Sequence, residues 1–101
     1  MEGKILRLIG LGVRSGGVVV GVEMVRAAAK KGTLVLAIVA PDASRHSREK
    51  VLPLLAAKGV QVIEGPSAAV LGAAADRETT AAVGVIDRNL AKGIVEVAER
   101  S

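Results

Sequence analysis

The amino-acid sequence predicts an α/β protein built as one αβα sandwich, and three observations lead to this prediction. Segments with helical periodicity alternate with short apolar segments of strand character along the chain. Apolar residues make up 50% of the 101 residues and charged residues 24%, a composition typical of a globular domain. Phe, Tyr and Trp are absent, so the core must be aliphatic. We expect a single domain over residues 1–101.

The first element is a helix over residues 2–14, where apolar side chains recur on one side and basic side chains on the other. Gly12 falls within the apolar arc, which indicates close packing against a neighbouring element. Residues 15–17 (Ser-Gly-Gly) predict a turn. The three β-branched valines at residues 18–20 then predict a short strand.

A second helix opens at Gly21 and ends near Lys31, because Gly32 is a typical C-terminal stop. At 100° per residue, one face is aliphatic and the other carries Glu23, Arg26 and Lys30 in a stripe. A carboxylate there can accept hydrogen bonds from a base edge, and the cations can contact phosphates. An ordinary amphipathic helix with a solvated polar face explains the same pattern.

The middle of the chain predicts a central strand and two short helices. Residues 33–40 form a continuous apolar run, which is typical of a strand covered on both faces. Turn residues follow at 41–44, and a short helical segment then extends to about Val51. Because proline fits poorly inside a helix, we expect a separate helix to begin at Pro53 and run to Lys58.

The last third predicts two strands and two helices. Residues 60–64 form a strand, and a small Ala-rich helix follows from Pro66 to about Ala75. A polar loop at 76–80 precedes the last strand, residues 81–86. The C-terminal helix has an apolar face formed by Leu90, Ala91, Ile94, Val97 and Ala98.

Charge and composition narrow the function. Fourteen Lys and Arg against ten acids give a net charge of +4 and favour a polyanionic partner such as nucleic acid. Without aromatic residues, stacking of unpaired bases on protein rings is excluded. The chain has no cysteine for a disulfide or thiolate site. It also has no apolar run long enough to span a membrane and no signal peptide pattern, so we expect a cytoplasmic protein.

Catalytic and metal-binding patterns are absent from the sequence. His46 is the only histidine, so no histidine cluster can form, and its neighbours Asp42 and Ser44 suit a turn and a helix cap. The glycines between Gly10 and Gly17 have the spacing GxGxxxG, and a dinucleotide loop would need a strand before them and a helix after them. We therefore expect no catalytic residue, metal or cofactor, and a nucleotide-binding enzyme remains a minor alternative.

The order of the segments resembles the L7Ae/L30e-like superfamily of kink-turn RNA-binding proteins, in particular its bacterial YlxQ-type members. The resemblance rests on the collinear segments KILRLIGLGVRSGG, VGVEMVRAAAKKG, LVLAIVAPDAS, VLPLLAAKGVQV, GPSAAVLGAA and VGVIDRNLAKGI. It implies a mixed four-stranded sheet and RNA binding by the N-terminus of the second helix and the loop before the last strand. The positions carried over are Gly21, Val22, Glu23, Arg26 and Lys30, together with Arg77, Glu78 and Thr79 at the loop tip.

The chain departs from this resemblance at Val22, where the RNA-binding members carry a polar residue, often Asn. A valine cannot hydrogen-bond to a base, so base discrimination should weaken by about 1–3 kcal/mol. Arg77 and Thr79 also replace an apolar loop tip. The sequence therefore predicts a monomeric, non-enzymatic protein that binds structured RNA, either ribosomal RNA or another structured RNA. Association with ribosomes is one option for such a cytoplasmic protein. A protein-interaction module whose RNA binding has decayed is the main alternative.

Overall fold

The computed structural model describes residues 2–100 and confirms the αβα architecture. Five helices alternate with four strands along this part of the chain. The elements are α1 (Glu2–Ser15), β1 (Val18–Val20), α2 (Val22–Lys31), β2 (Leu36–Val39), α3 (Arg45–Ala57), β3 (Gln61–Glu64), α4 (Ala68–Ala74), β4 (Ala82–Val85) and α5 (Arg88–Glu99). Three of the four strands are shorter than the apolar runs that predict them. No helix in this range is long and apolar enough to cross a membrane.

The sheet is mixed, with the strand order β1-β4-β2-β3. β4 runs antiparallel to both β1 and β2, whereas β2 and β3 are parallel. The carboxyl ends of β1, β2 and β3 therefore meet the start of β4 at one edge of the sheet. We call this edge, which is formed by Gly21, Ala40, Gly65 and Ala81, the Gly21 edge.

Two aliphatic cores lie on opposite faces of the sheet. On one face, Ile9 of α1, Leu71 of α4 and Ile94 of α5 are fully buried against the strands. On the other face, Val25 of α2 and Leu55 of α3 are fully buried in the second core. Burial of these aliphatic side chains stabilises the packing of the layers and contributes about 25 cal/mol per Å² of apolar surface removed from water.

Gly12 brings α1 close to its neighbours, as the sequence predicts. A Cβ at this position would collide with Val18 of β1 and with Leu90 of α5. In the centre of β4, a Cβ on Gly84 would meet the side chain of Leu34 at 2.5 Å. Because protein interiors are packed without spare volume, glycine at these two positions sets how closely the layers approach.

The prediction of two helices around Pro53 is wrong, because residues 45–57 form one helix, α3, with Pro53 in its interior. The buried residues Val51 and Leu55 lie on either side of the proline and keep a continuous apolar face against the sheet. Pro53 itself is exposed. The carbonyl group of Glu49, which loses its helical partner at Pro53, can therefore be hydrated, and the burial of the opposite face outweighs the lost bond.

Candidate nucleic-acid interface

The N-terminus of α2 lies at the Gly21 edge, directly after β1. Gly21 caps the helix with φ 97°, a backbone conformation that side chains disfavour, and no side chain caps the first turn. Glu23 lies in that first turn with 74% of its side chain exposed. Its carboxylate is therefore accessible to a ligand at the positive end of the helix dipole.

The loop at residues 76–80 reaches the same edge and is fixed to α4. The Arg77 amide donates to the Gly72 carbonyl at 2.7 Å, and the Thr80 amide donates to the Ala68 carbonyl at 3.1 Å. A Cβ on Gly72 would lie only 2.6 Å from the Thr79 Cα atom, so glycine allows the loop to lie directly on the helix. Arg77, Glu78 and Thr79 are exposed on this anchored backbone.

The carbonyl oxygen of Ala82 joins the two segments. It accepts a hydrogen bond from the Gly21 amide at 2.9 Å and another from the Thr80 hydroxyl at 3.1 Å. Thr80 is 8% exposed, so its hydroxyl group is committed to this contact. The residue that caps α2 and the residue that ends the loop are therefore held on one backbone atom, and the two predicted segments lie side by side.

Lys50 of α3 also belongs to this surface, although no pattern in the sequence indicates it. Its Nζ atom lies 3.3 Å from the Glu23 carboxylate, and its backbone carbonyl accepts a hydrogen bond from the Arg26 guanidinium. Arg26 is half-buried and links α2 to α3 through this bond. Nothing in the local sequence of α3 signals the contact, because it arises from the packing of two helices that are distant along the chain.

The remaining predicted residues differ in their positions. Val22 is half-buried and packs against the core between α2, α3 and the sheet. Lys30 is exposed, but it lies nine residues beyond Gly21, about 13 Å further along the helix axis. The Arg77 Nη1 atom lies 3.4 Å from the carbonyl oxygens of Ala75 and Asp76, which hold the guanidinium against the end of α4.

The residues that could serve a metal site or a dinucleotide loop do not form one in the part of the chain that the structure describes. No group of three His, Cys, Asp or Glu residues there could hold a metal ion. His46 is exposed in the first turn of α3, where the Ser44 hydroxyl caps the helix by accepting from the Ser47 amide at 3.1 Å. Gly10 and Gly12 lie inside α1, so they do not form the strand-to-helix turn that a dinucleotide loop requires.

Three comparisons with known proteins give a family and two structural likenesses. The sequence profile of the ribosomal protein L7Ae/L30e/S12e/Gadd45 family matches residues 3–96. The structure is similar to that of a protein of unknown function from Bacillus halodurans C, with a TM-score of 0.86, 26% identity, and coverage of 95% of this chain and 97% of that chain. It also resembles the Giardia lamblia 15.5kD RNA binding protein, with a TM-score of 0.79, 22% identity, and coverage of 98% and 85%. No curated protein sequence gives a significant match.

Proposed function

Because this chain belongs to the ribosomal protein L7Ae/L30e/S12e/Gadd45 family, we propose that it binds structured RNA and catalyses no reaction. The proposed surface is the N-terminus of α2 together with the loop at residues 76–80. The main support for this proposal is that Gly21 and Thr80 both donate hydrogen bonds to the Ala82 carbonyl oxygen, so the two segments lie side by side. A structurally similar protein from Giardia lamblia is described as RNA-binding, which supports the same conclusion.

Glu23 is the residue that reads a base in this proposal. Its carboxylate only accepts hydrogen bonds, so it suits the N–H groups that guanine presents along one edge. The ion pair with Lys50 orients the carboxylate, but exposed ion pairs contribute only about 0–1 kcal/mol. A base edge can therefore share or replace Lys50 as the partner of Glu23.

The surrounding cations provide the contacts to phosphates. Lys50 and Lys30 each present an ammonium group on the same side as Glu23, and Arg77 presents a guanidinium from the loop. Arg26 donates one hydrogen bond to the Lys50 carbonyl and keeps further N–H groups for RNA, because a guanidinium carries five donors. Glu78 and the Thr79 hydroxyl complete the exposed loop tip.

We also propose a subfamily and a kind of RNA for this protein. The segment order favours a YlxQ-type protein that acts as a monomer in the cytoplasm, binds ribosomal RNA or another structured RNA, and recognises kink-turn geometry. Val22 packs into the core and offers no hydrogen bond, so this protein should recognise shape and charge more than base identity. We expect weaker discrimination between bases than a polar residue at this position would give.

The experiment that tests the proposed function compares Glu23→Ala with Glu96→Ala in titrations of a kink-turn RNA. Both variants lose one acid, but Glu96 lies on α5 beside Gln61, at the opposite end of the sheet. Glu23→Ala should bind the kink-turn roughly ten- to a hundred-fold more weakly. Glu96→Ala should bind as well as the unaltered protein or slightly better, because its positive charge is higher by one.

A base-paired RNA of the same length provides the second arm of this experiment. Glu23→Ala should bind that duplex as well as the unaltered protein or slightly better, because the guanine N–H groups of a duplex are engaged in base pairing and the variant carries one more positive charge. Equal binding of the kink-turn by both variants would contradict the role of Glu23. If the unaltered protein binds neither RNA, the proposed function itself is wrong and a protein-interaction module becomes the better account.

A further inference from the structure

We propose that the RNA-binding surface continues past the loop at residues 76–80 into a cleft between α1 and α4, where Arg7 and Arg14 bind the RNA backbone. This inference rests on the proposed RNA-binding function and extends its footprint to a second side of the loop. The cleft has a volume of about 390 Å³. Its lining includes Arg7, Gly10 and Arg14 of α1, Ala74 of α4, and Asp76 at the start of the loop.

Arg7 and Arg14 have no protein partner among residues 3–100, whose side chains the structure describes. Neither makes a hydrogen bond or an ion pair there, and the three ion pairs found in that range involve other cations. Among the residues whose side chains the structure describes, Asp76 is the one acid that lines the cleft. Two arginines against one aspartate leave a net positive charge. Unpaired cations that converge on one cleft favour a polyanionic ligand.

Glycine at position 10 makes room for this arrangement. A Cβ there would lie 3.3 Å from the Ala74 carbonyl oxygen and 3.6 Å from the Arg14 Nη1 atom. The Arg14 guanidinium therefore folds back over α1 towards the C-terminus of α4, where carbonyl groups carry partial negative charge. The Arg77 guanidinium lies against the same helix end, 3.4 Å from the Ala75 carbonyl oxygen. The Arg14 and Arg77 guanidinium groups thus both lie near the C-terminal end of α4, where the cleft adjoins the loop.

The residue types on α1 favour an RNA backbone over a membrane surface. Arg7 and Arg14 lie two turns apart on α1, about 10 Å along its axis, and can contact successive phosphates of one strand. Planar guanidinium groups match phosphate oxygens in pairs. The exposed apolar residue between them is Leu11, at 55% exposure, while the opposite face of α1 is packed against the core. One leucine is too little apolar surface to insert a helix into lipid.

The test is the salt dependence of RNA binding by Arg7→Gln/Arg14→Gln. Each phosphate contact contributes about 0.7–0.9 to the slope of log affinity against log salt concentration. We therefore expect the double variant to lower the slope by about 1.5 for kink-turn and duplex RNA alike. The matched control is Lys58→Gln/Lys92→Gln, which removes the same charge from two exposed residues. Lys58 ends α3 and Lys92 lies on α5 beside Gln61, at the opposite end of the sheet from the Gly21 edge. The slope of the control should change by less than half as much.

A charge-preserving variant, Arg7→Lys/Arg14→Lys, separates binding from folding. It should restore most of the slope, and the melting temperature of both double variants should match that of the unaltered protein, because neither arginine has a partner in the described chain. Equal slopes for the glutamine variant and its control would overturn the inference and leave the role of Glu23 standing. Failure of the unaltered protein to bind any RNA would overturn the proposed function and the inference together.

Discussion

The arginines of α3 and those of α1 have different surroundings in the same small protein. On α3, Arg48 donates to the Ala40 carbonyl at 3.1 Å and to the Glu64 carboxylate at 2.6 Å, which ties α3 to the ends of β2 and β3. Arg45 and Lys50 are also paired with acids. On α1, Arg7 and Arg14 have no such partner among the side chains of residues 3–100. The net charge of +4 therefore does not distinguish the arginines of α3, which stabilise the fold, from those of α1, which remain available to a ligand.

The largest expected effect comes from Gly72→Ala, which would displace the loop at residues 76–80 from α4. The added methyl group would lie 2.6 Å from the Thr79 backbone, so α4 or the loop must move. Overpacking of this kind typically costs about 1–3 kcal/mol, more than the ~1 kcal/mol that alanine contributes to a helix. Chemical denaturation should show the lower stability, and RNA binding should weaken because the displaced loop no longer lies beside α2.

Gly93→Ala is the matched control for that prediction. Gly93 lies inside α5, where the nearest contact of an added Cβ is a Leu8 methyl group at an ordinary 3.9 Å. This variant should gain about 0.5–1 kcal/mol of stability, because alanine restricts the unfolded chain and favours the helix. Similar stability changes for the two variants would contradict the close contact between Gly72 and Thr79.

Arg48→Gln should have a smaller effect on stability, and it tests whether the arginine of α3 acts in the fold and not in RNA binding. The Arg48 side chain is only 27% exposed, and the substitution removes two hydrogen bonds from its charged group. We expect a loss of about 1–2 kcal/mol in unfolding free energy with an unchanged salt slope for RNA binding. In Arg45→Gln, an exposed pair with Glu49 is lost, and the change should stay below about 0.5 kcal/mol. A shallower salt slope in Arg48→Gln would place this residue in the RNA interface instead.

Local patterns in the sequence predict much of this fold. The valines of β1, the stop at Gly32 and the close packing at Gly12 all follow from neighbouring residues, because backbone freedom and helical periodicity are local properties. The error at Pro53 arises from the same local reasoning. The rule against proline in a helix does not include the burial of Val51 and Leu55 on the opposite face, which keeps α3 continuous.

The candidate site is less accessible to such reasoning. The sequence indicates Glu23 and the polar loop separately, but the Ala82 carbonyl oxygen that joins their segments depends on the pairing of β4 with β1. Lys50 lies beside Glu23 because α3 packs against α2. Arg14 lines the cleft because α1 packs against α4. Contacts between segments far apart in the chain leave no periodic signal in either segment.

Nuclear magnetic resonance can map the RNA contact residue by residue, and thereby shows whether α2 and the loop at residues 76–80 form one RNA-binding surface. An isotope-labelled sample of the intact protein is titrated with a kink-turn RNA, and the backbone amide signals are followed. If RNA binds this surface, the amide signals of Gly21, Glu23 and Thr79 should change most, and those of Lys58 and Lys92 should change little. Changes concentrated at Lys58 and Lys92, with the signals of Gly21 and Thr79 unmoved, would contradict this prediction.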